Sequence, residues 1–143
     1  MGERAMRIER MFRASRNRVF AAWTDPEVMR LWWAPGPDWT TRAEVDLRVG
    51  GQLSVTMTAP DGTDHAFSGT FLQIDPPRRL VYTSAWKGDA GAPSIVTVTF
   101  EDDGPNTIVV LEFTAPDDAA AGLESGWDAC FINLERHFSR SST

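Results

Sequence analysis

The segment 122–140, GLESGWDACFINLERHFSR, constrains the fold more than any other part of the sequence. Its apolar residues recur at offsets of three and four, the spacing that places side chains on one face of an α-helix. This stripe consists of Leu123, Trp127, Cys130, Phe131, Leu134 and Phe138. A helix with one apolar face needs an apolar surface to cover that face. We therefore predict that it packs on a sheet formed between residues 41 and 114, and we expect a functional site between the two.

The composition is typical of a globular protein, with 143 residues that are 42% hydrophobic and 24% charged. We expect one domain over residues 1–143. The net charge of −6 argues against nucleic acid or an anionic membrane as a partner. The one cysteine excludes an internal disulfide, and no apolar run reaches the ~20 residues of a membrane span. We therefore predict a cytoplasmic protein.

The predicted elements follow the order strand, two short helices, six strands and one long helix. Residues 6–13 roughly alternate between polar and apolar side chains, which predicts the first strand. Ser15 suits the N-cap of one helix, and Asp25-Pro26 suits the start of another that ends before Pro35. Short connections between the later strands indicate an antiparallel sheet and an α+β fold. Those strands are predicted at residues 44–49, 52–58, 65–74, 80–86, 95–100 and 107–113.

Short motifs occur in order from about Met6 to Phe138. They are Arg10-x-Phe12-x-Ala14, Val19-Phe20-x-Ala22-Trp23-Thr24-Asp25-Pro26, Trp32-Trp33-x-Pro35, Asp46-Leu47-Arg48-Val49-Gly50-Gly51, Gly69-x-Phe71, Leu80-Val81-Tyr82-Thr83, and Gly126-Trp127 with Leu134. This set resembles the bacterial relatives of the activator of the heat-shock protein 90 ATPase, in the START-like (SRPBCC) helix-grip superfamily. The resemblance implies a seven-stranded sheet that curves around the C-terminal helix, often with a cavity between them. It implies no particular reaction, because the superfamily includes carriers, sensors and enzymes.

The sequence departs from the family pattern in three places. Ser15-Arg16 stands where relatives often have a proline, and Ala34 stands where many have glycine. The eukaryotic chaperone activators also carry a separate N-terminal domain, whereas five residues precede the first predicted strand here. We therefore do not expect chaperone activation to carry over directly.

The six tryptophans are the main candidates for a binding site. Trp32 and Trp33 are adjacent on a predicted helix, so their side chains would point ~100° apart. We expect that only one of them faces the core and that the other lies at a cavity mouth or a partner surface. Packing in the core and at its rim is the alternative for each tryptophan. The predicted ligand-binding residues are Trp33, Met57, Phe71, Tyr82, Trp86, Trp127 and Phe131, together with Arg10.

Two arginines raise questions of pairing. Arg10 shares the parity of the apolar residues on the first strand, so it needs an acidic partner, either Glu112 or Asp46, or an acidic group on a ligand. Asp46 and Arg48 lie two apart on a predicted strand and would share a face. A structural ion pair is favoured for these two, and ligand recognition is the alternative.

Catalytic and metal-binding groups are sparse. Cys130 and His137 are seven residues apart on the helix, ~10.5 Å along its axis, too far for a thiolate–imidazole pair. His65 lies near Asp61 and Asp64 without a third nitrogen or sulfur ligand at a useful spacing. We predict no catalytic residue, metal or cofactor. The Tyr82 hydroxyl remains a candidate donor to a ligand carbonyl.

The predicted function is therefore the binding of a hydrophobic or aromatic small molecule between the sheet and the long helix. The cavity mouth is expected between the 34–40 and 87–93 loops. One alternative is an enzyme of the cyclase or dehydratase kind that uses the same pocket. Another is an interaction module for a chaperone or stress partner that uses exposed tryptophans. A homodimer is expected if a tryptophan between residues 32 and 39 is exposed.

Overall fold

The computed structural model describes residues 3–34, 36, 38–87, 94–116 and 119–140. The strands are β1 (Glu3–Phe12), β2 (Thr40–Val45), β3 (Gln52–Thr58), β4 (Asp64–Asp75), β5 (Arg79–Trp86), β6 (Ser94–Asp103) and β7 (Asn106–Pro116). The helices are α1 (Arg16–Thr24), α2 (Pro26–Trp32) and α3 (Ala120–Arg140). None of these helices is long and apolar enough to cross a membrane.

The seven strands form one antiparallel sheet in the order β1-β7-β6-β5-β4-β3-β2. The chain passes from one edge of the sheet to the other through α1 and α2, and the later strands follow one another back toward β1. The sheet curves around α3, which confirms the predicted α+β helix-grip fold. Strands β4 and β5 approach closely at Gly69, where a Cβ would overlap the carbonyl oxygen of Thr83.

The two short helices begin where local sequence predicts. The Ser15 hydroxyl accepts a hydrogen bond from the N–H of Arg18 (3.4 Å), and the Asp25 carboxylate accepts one from the N–H of Glu27 (3.0 Å). Pro26 occupies the first turn of α2, where its missing N–H has no helical acceptor. These caps fix the residues at which α1 and α2 begin.

The strand predicted at residues 44–49 is wrong, because β2 ends at Val45. The chain then turns, which leaves Leu47 and Val49 45% and 66% exposed. Gly50 has φ 85° and donates its N–H to the carbonyl of Phe71, which draws the turn onto β4. Asp46 and Arg48 form an exposed ion pair within this turn (2.8 Å), not across a strand face.

The expectation that Trp32 and Trp33 diverge is also wrong. Both side chains belong to the core, with 0% and 3% of their surface exposed, and their rings stack with centroids 4.7 Å apart. The reason is that α2 ends at Trp32, and Trp33 has φ −81° and ψ 73°, so helical spacing does not apply. The Trp32 indole donates to the carbonyl of Ala22 (2.8 Å).

The apolar stripe of α3 packs densely along its second half. Phe131, Leu134 and Phe138 are buried there. Phe12 contacts Phe131 and Phe138 edge-on, with centroids 5.5 and 5.9 Å apart. Leu123 and Trp127, on the first half of the helix, are only half-buried. The space beside these two residues is the candidate site.

Candidate functional site

A partly open cavity of about 390 Å³ lies between the first half of α3 and the sheet. It is larger than the ~150 Å³ apolar cavity that holds benzene in an engineered protein. Strands β3 to β7 form one wall, and α3 forms the other. The lining consists of Glu3, Trp33, Trp39, Met57, His65, Phe67, Tyr82, Ser84, Ala85, Trp86, Ser94, Val96, Phe113, Thr114, Pro116, Gly122, Leu123, Gly126, Trp127 and Cys130.

Aromatic rings form a continuous wall of the cavity. Trp33 contacts Trp127 and Phe67 with centroids 5.5 Å away in each case, and Phe67 contacts Trp86 at 5.2 Å. The planes of these pairs are tilted by 42–54°, so the rings form a curved surface rather than a flat stack. Such a surface suits a flat apolar molecule.

Two glycines of α3 keep the cavity open. Gly122 and Gly126 are one helical turn apart and both line the space. A Cβ added at either position would meet no other atom within 4 Å. Glycine is less favourable than alanine inside a helix by ~0.8–1.0 kcal/mol. The local sequence therefore places two unfavourable helix residues where larger side chains would occupy the cavity.

Five of the predicted ligand-binding residues meet in this lining, namely Trp33, Met57, Tyr82, Trp86 and Trp127. Phe71 and Phe131 lie outside it and are fully buried. Phe71 packs edge-on against Tyr82, and Phe131 packs among Phe12, Trp23 and Trp32. The sequence predicted that both side chains point inward, but other side chains fill the interior around them. The ligand-binding role of all these residues stays a prediction.

Several lining residues were not predicted from the sequence. The aromatic ones are Trp39, Phe67 and Phe113, and the glycines are Gly122 and Gly126. The alternation of β4 and β7 already indicated that Phe67 and Phe113 point inward. The four-residue spacing of the two glycines beside the apolar stripe was a second indication, because it places both on one face of the helix.

Arg10 lies outside the cavity lining and contacts α3. Its guanidinium donates to Asp128 and to Glu135, each at 3.0 Å, and lies 5.6 Å from the centroid of the Phe131 ring. The predicted partners Glu112 and Asp46 are both wrong. Glu112 lies opposite Arg7 in the register of β1 and β7, on the other face of the sheet, and Asp46 bonds to Arg48.

The Tyr82 hydroxyl is buried behind the cavity wall. It has no hydrogen-bond partner among the described residues, and neither has the Trp23 indole N–H. Burial raises the pKa of Tyr82 well above its ordinary value, and the nearby Trp23 side chain opposes this shift. The ring therefore lines the cavity, while the hydroxyl points toward Trp23 in the core. A ligand in the open space would contact the ring rather than the O–H.

Cys130 is a buried residue of the cavity lining. Burial raises the pKa of its thiol to about 12, and a hydrogen bond with the backbone of Ala34 opposes the rise. The thiol therefore stays protonated at neutral pH, which is the state that disfavours nucleophilic attack. The carbonyl of Ala34 also accepts a hydrogen bond from Asn133 (2.8 Å), which ties the end of α2 to α3.

The acidic groups near His65 are engaged elsewhere. Asp61 accepts from the N–H of Thr63 (2.9 Å), and Asp64 accepts from the hydroxyl of Thr58 (2.6 Å). Over the described ranges, no group of three or more His, Cys, Asp or Glu side chains is placed to hold a metal ion. Of the predicted mouth loops, residues 88–93, Pro35 and Pro37 lie outside the described residues, and Trp39 reaches the lining.

Comparison with known proteins agrees with this architecture. The model of the family described as Activator of Hsp90 ATPase homolog 1-like protein matches residues 13–139. No curated protein matches the chain.

Solved structures share the fold over nearly the whole chain. An AHSA1-like protein from Aeromonas hydrophila is 30% identical, with 96% of this chain and 94% of that chain covered and a TM-score of 0.80. A protein from Arthrobacter aurescens is 27% identical, with coverages of 97% and 88% and a TM-score of 0.82. A protein from Chromobacterium violaceum is 26% identical, with coverages of 93% and 96% and a TM-score of 0.83.

Proposed function

The chain belongs to the family of Activator of Hsp90 ATPase homolog 1-like proteins, and from that premise we propose that it binds a hydrophobic or aromatic small molecule between its sheet and α3. The observation that supports this proposal is the aromatic cavity of about 390 Å³ beside Gly122 and Gly126. The hydrophobic effect would supply most of the affinity, because the lining is largely apolar. A cytoplasmic location and one domain over residues 1–143 are part of the same proposal.

Binding is favoured over the two alternatives by the positions of particular side chains. A cyclase or dehydratase needs an acid or a base that reaches the substrate. The Tyr82 hydroxyl is buried, and the Cys130 thiol stays protonated, so Glu3 and His65 are the lining residues left that carry an acid or a base. A chaperone partner or a homodimer held by exposed tryptophans is not favoured either, because the six tryptophans are buried or half-buried. Trp39, Trp86 and Trp127, the half-buried ones, line the cavity.

The test is a titration of tryptophan fluorescence with 2-naphthylmethanol, a neutral two-ring aromatic alcohol. We expect saturable quenching with one probe per chain, and recovery of the probe unchanged. Mass spectrometry of small molecules retained by the purified protein would then identify the natural ligand. Turnover of the probe would favour the enzyme alternative, and non-saturable quenching would contradict binding in the cavity.

Three variants of α3 locate the binding. Gly126→Leu should occupy part of the cavity and lower the affinity at least tenfold, while the helix becomes more stable by about 0.5–1 kcal/mol because glycine is replaced. Gly126→Ala should gain similar stability and keep most of the affinity, because one methyl group takes little of the space. Ala121→Leu adds the same side chain at an exposed position outside the lining and should change nothing. Equal affinity for Gly126→Leu and the unaltered protein would place the ligand elsewhere.

A further inference from the structure

The cavity lining includes one acidic residue, Glu3, and one histidine, His65. Glu3, the first described residue of β1, is exposed and borders the cavity. Among the described residues the lining contains no lysine or arginine. An anionic ligand would therefore lose its hydration with only the His65 imidazole as a basic side chain to replace it. The net charge of −6 adds a long-range attraction for cations and a repulsion of anions.

The aromatic wall of the cavity also favours a cation over an anion. The face of an aromatic ring carries partial negative charge, and indole attracts cations most strongly among the aromatic side chains. Four tryptophans line the cavity, and Trp33 and Trp127 contact each other within it. Quaternary ammonium groups suit such a site because they are only weakly hydrated and cover a large area of ring surface.

We propose that the ligand of this cavity is an organic cation, in which a quaternary or otherwise alkylated ammonium group is joined to a flat apolar body. The apolar body lies against the curved wall of Trp33, Phe67 and Trp86, and the ammonium group lies on the tryptophan faces toward Glu3. This inference rests on the proposed function, since it assigns the charge of a ligand in the same cavity. It goes beyond that function because hydrophobicity alone predicts no preference for a sign of charge.

The experiment compares three probes with one naphthalene body. The first is (2-naphthylmethyl)trimethylammonium, the second is its uncharged isostere with carbon in place of nitrogen, and the third is 2-naphthylacetate. Affinities are measured by tryptophan quenching at low ionic strength, where exposed charges are least screened. We expect the cation to bind most tightly, the isostere next, and the carboxylate about tenfold more weakly than the cation.

Two variants assign the preference to named groups. Glu3→Gln should weaken the binding of the cation by about twofold to threefold and leave the binding of the isostere unchanged, because only an exposed charge beside the cavity is removed. Trp86→Leu should reduce the advantage of the cation over the isostere, and thermal unfolding of this variant checks that it folds.

The outcomes separate the inference from the function. If the isostere or the carboxylate binds most tightly, the charge preference is wrong and the cavity is still a binding site. A cation advantage that survives in both variants also overturns the proposed placement of the ammonium group. If none of the three probes binds, the proposed function fails and the inference fails with it.

Discussion

Two buried side chains, Cys130 and Tyr82, govern how stability depends on alkaline pH. Both are neutral when protonated, and burial raises the pKa of each in the folded chain. The unfolded chain therefore releases these protons first, so between the unfolded and folded pKa values the folded chain binds more protons. The free energy of unfolding is unaffected below about pH 9 and falls as the pH rises beyond it.

This dependence can be assigned to single side chains, because the chain contains one cysteine and one tyrosine. We expect the unfolding free energy from urea denaturation to fall by about 1.4 kcal/mol per pH unit for each deprotonating group. Cys130→Ala should remove the part of the decline that begins near pH 9, and Tyr82→Phe the part above pH 10. An unchanged slope in the double variant would show that neither group is responsible.

At the scale of elements, Arg10 fastens edge strand β1 to α3. It bonds to Asp128 and Glu135 and covers one face of Phe131. Two partly exposed ion pairs are worth ~0.2–1 kcal/mol each. The contact with the ring adds ~0.5–1 kcal/mol. These contacts tie the middle of the helix to the sheet, outside the cavity.

We therefore expect Arg10→Met to lower the unfolding free energy by about 1–2 kcal/mol and to leave probe affinity unchanged. The matched control is Arg7→Met on the same strand, whose exposed pair with Glu9 should contribute under ~0.5 kcal/mol. Urea denaturation at pH 7 measures both variants. A weaker affinity for the probe in Arg10→Met would indicate that this arginine takes part in ligand binding.

Local elements were more predictable from the sequence than the contacts between them. The starts of α1 and α2 depend on Ser15 and Asp25 with their immediate neighbours, so the sequence determines them locally. The partners of Arg10 lie 118 and 125 residues away. Strand parity predicts which face Arg10 occupies, but it does not say which residues of α3 lie opposite. The prediction of a strand at residues 44–49 failed because the alternation of polar and apolar residues continues through a turn. Gly50 directs this turn onto β4.

For the whole molecule, the interior consists of a filled part and a hollow part along the same helix. The second half of α3 packs on Phe12 and the neighbouring core, whereas its first half borders the cavity. Sequence patterns predict inward side chains, but they do not predict which inward side chains meet others. Phe131 and Trp127 belong to the same stripe, yet Phe131 is fully buried in the filled part and Trp127 borders the cavity. The hollow part is where the small residues Gly122 and Gly126 lie.

Two leucines on this stripe allow the filled part and the hollow part to be compared with the same substitution. Leu134 and Leu123 are eleven residues apart, about three turns, and lie on the same face of α3. Leu134 is fully buried, whereas Leu123 is half-buried and borders the cavity. Truncation at a filled site removes contacts and leaves a new void, while truncation beside open space only enlarges an existing one.

We expect Leu134→Ala to lower the unfolding free energy by about 3–5 kcal/mol, the range for leucines in dense cores. Leu123→Ala should cost under ~1.5 kcal/mol, because its side chain already has few partners on one side. Urea denaturation compares the two variants. With probe present, Leu134→Ala should keep the stabilisation that ligand binding gives, and Leu123→Ala should lose part of it, because only Leu123 borders the ligand. Equal losses of stability would mean that the interior is equally filled along the whole helix.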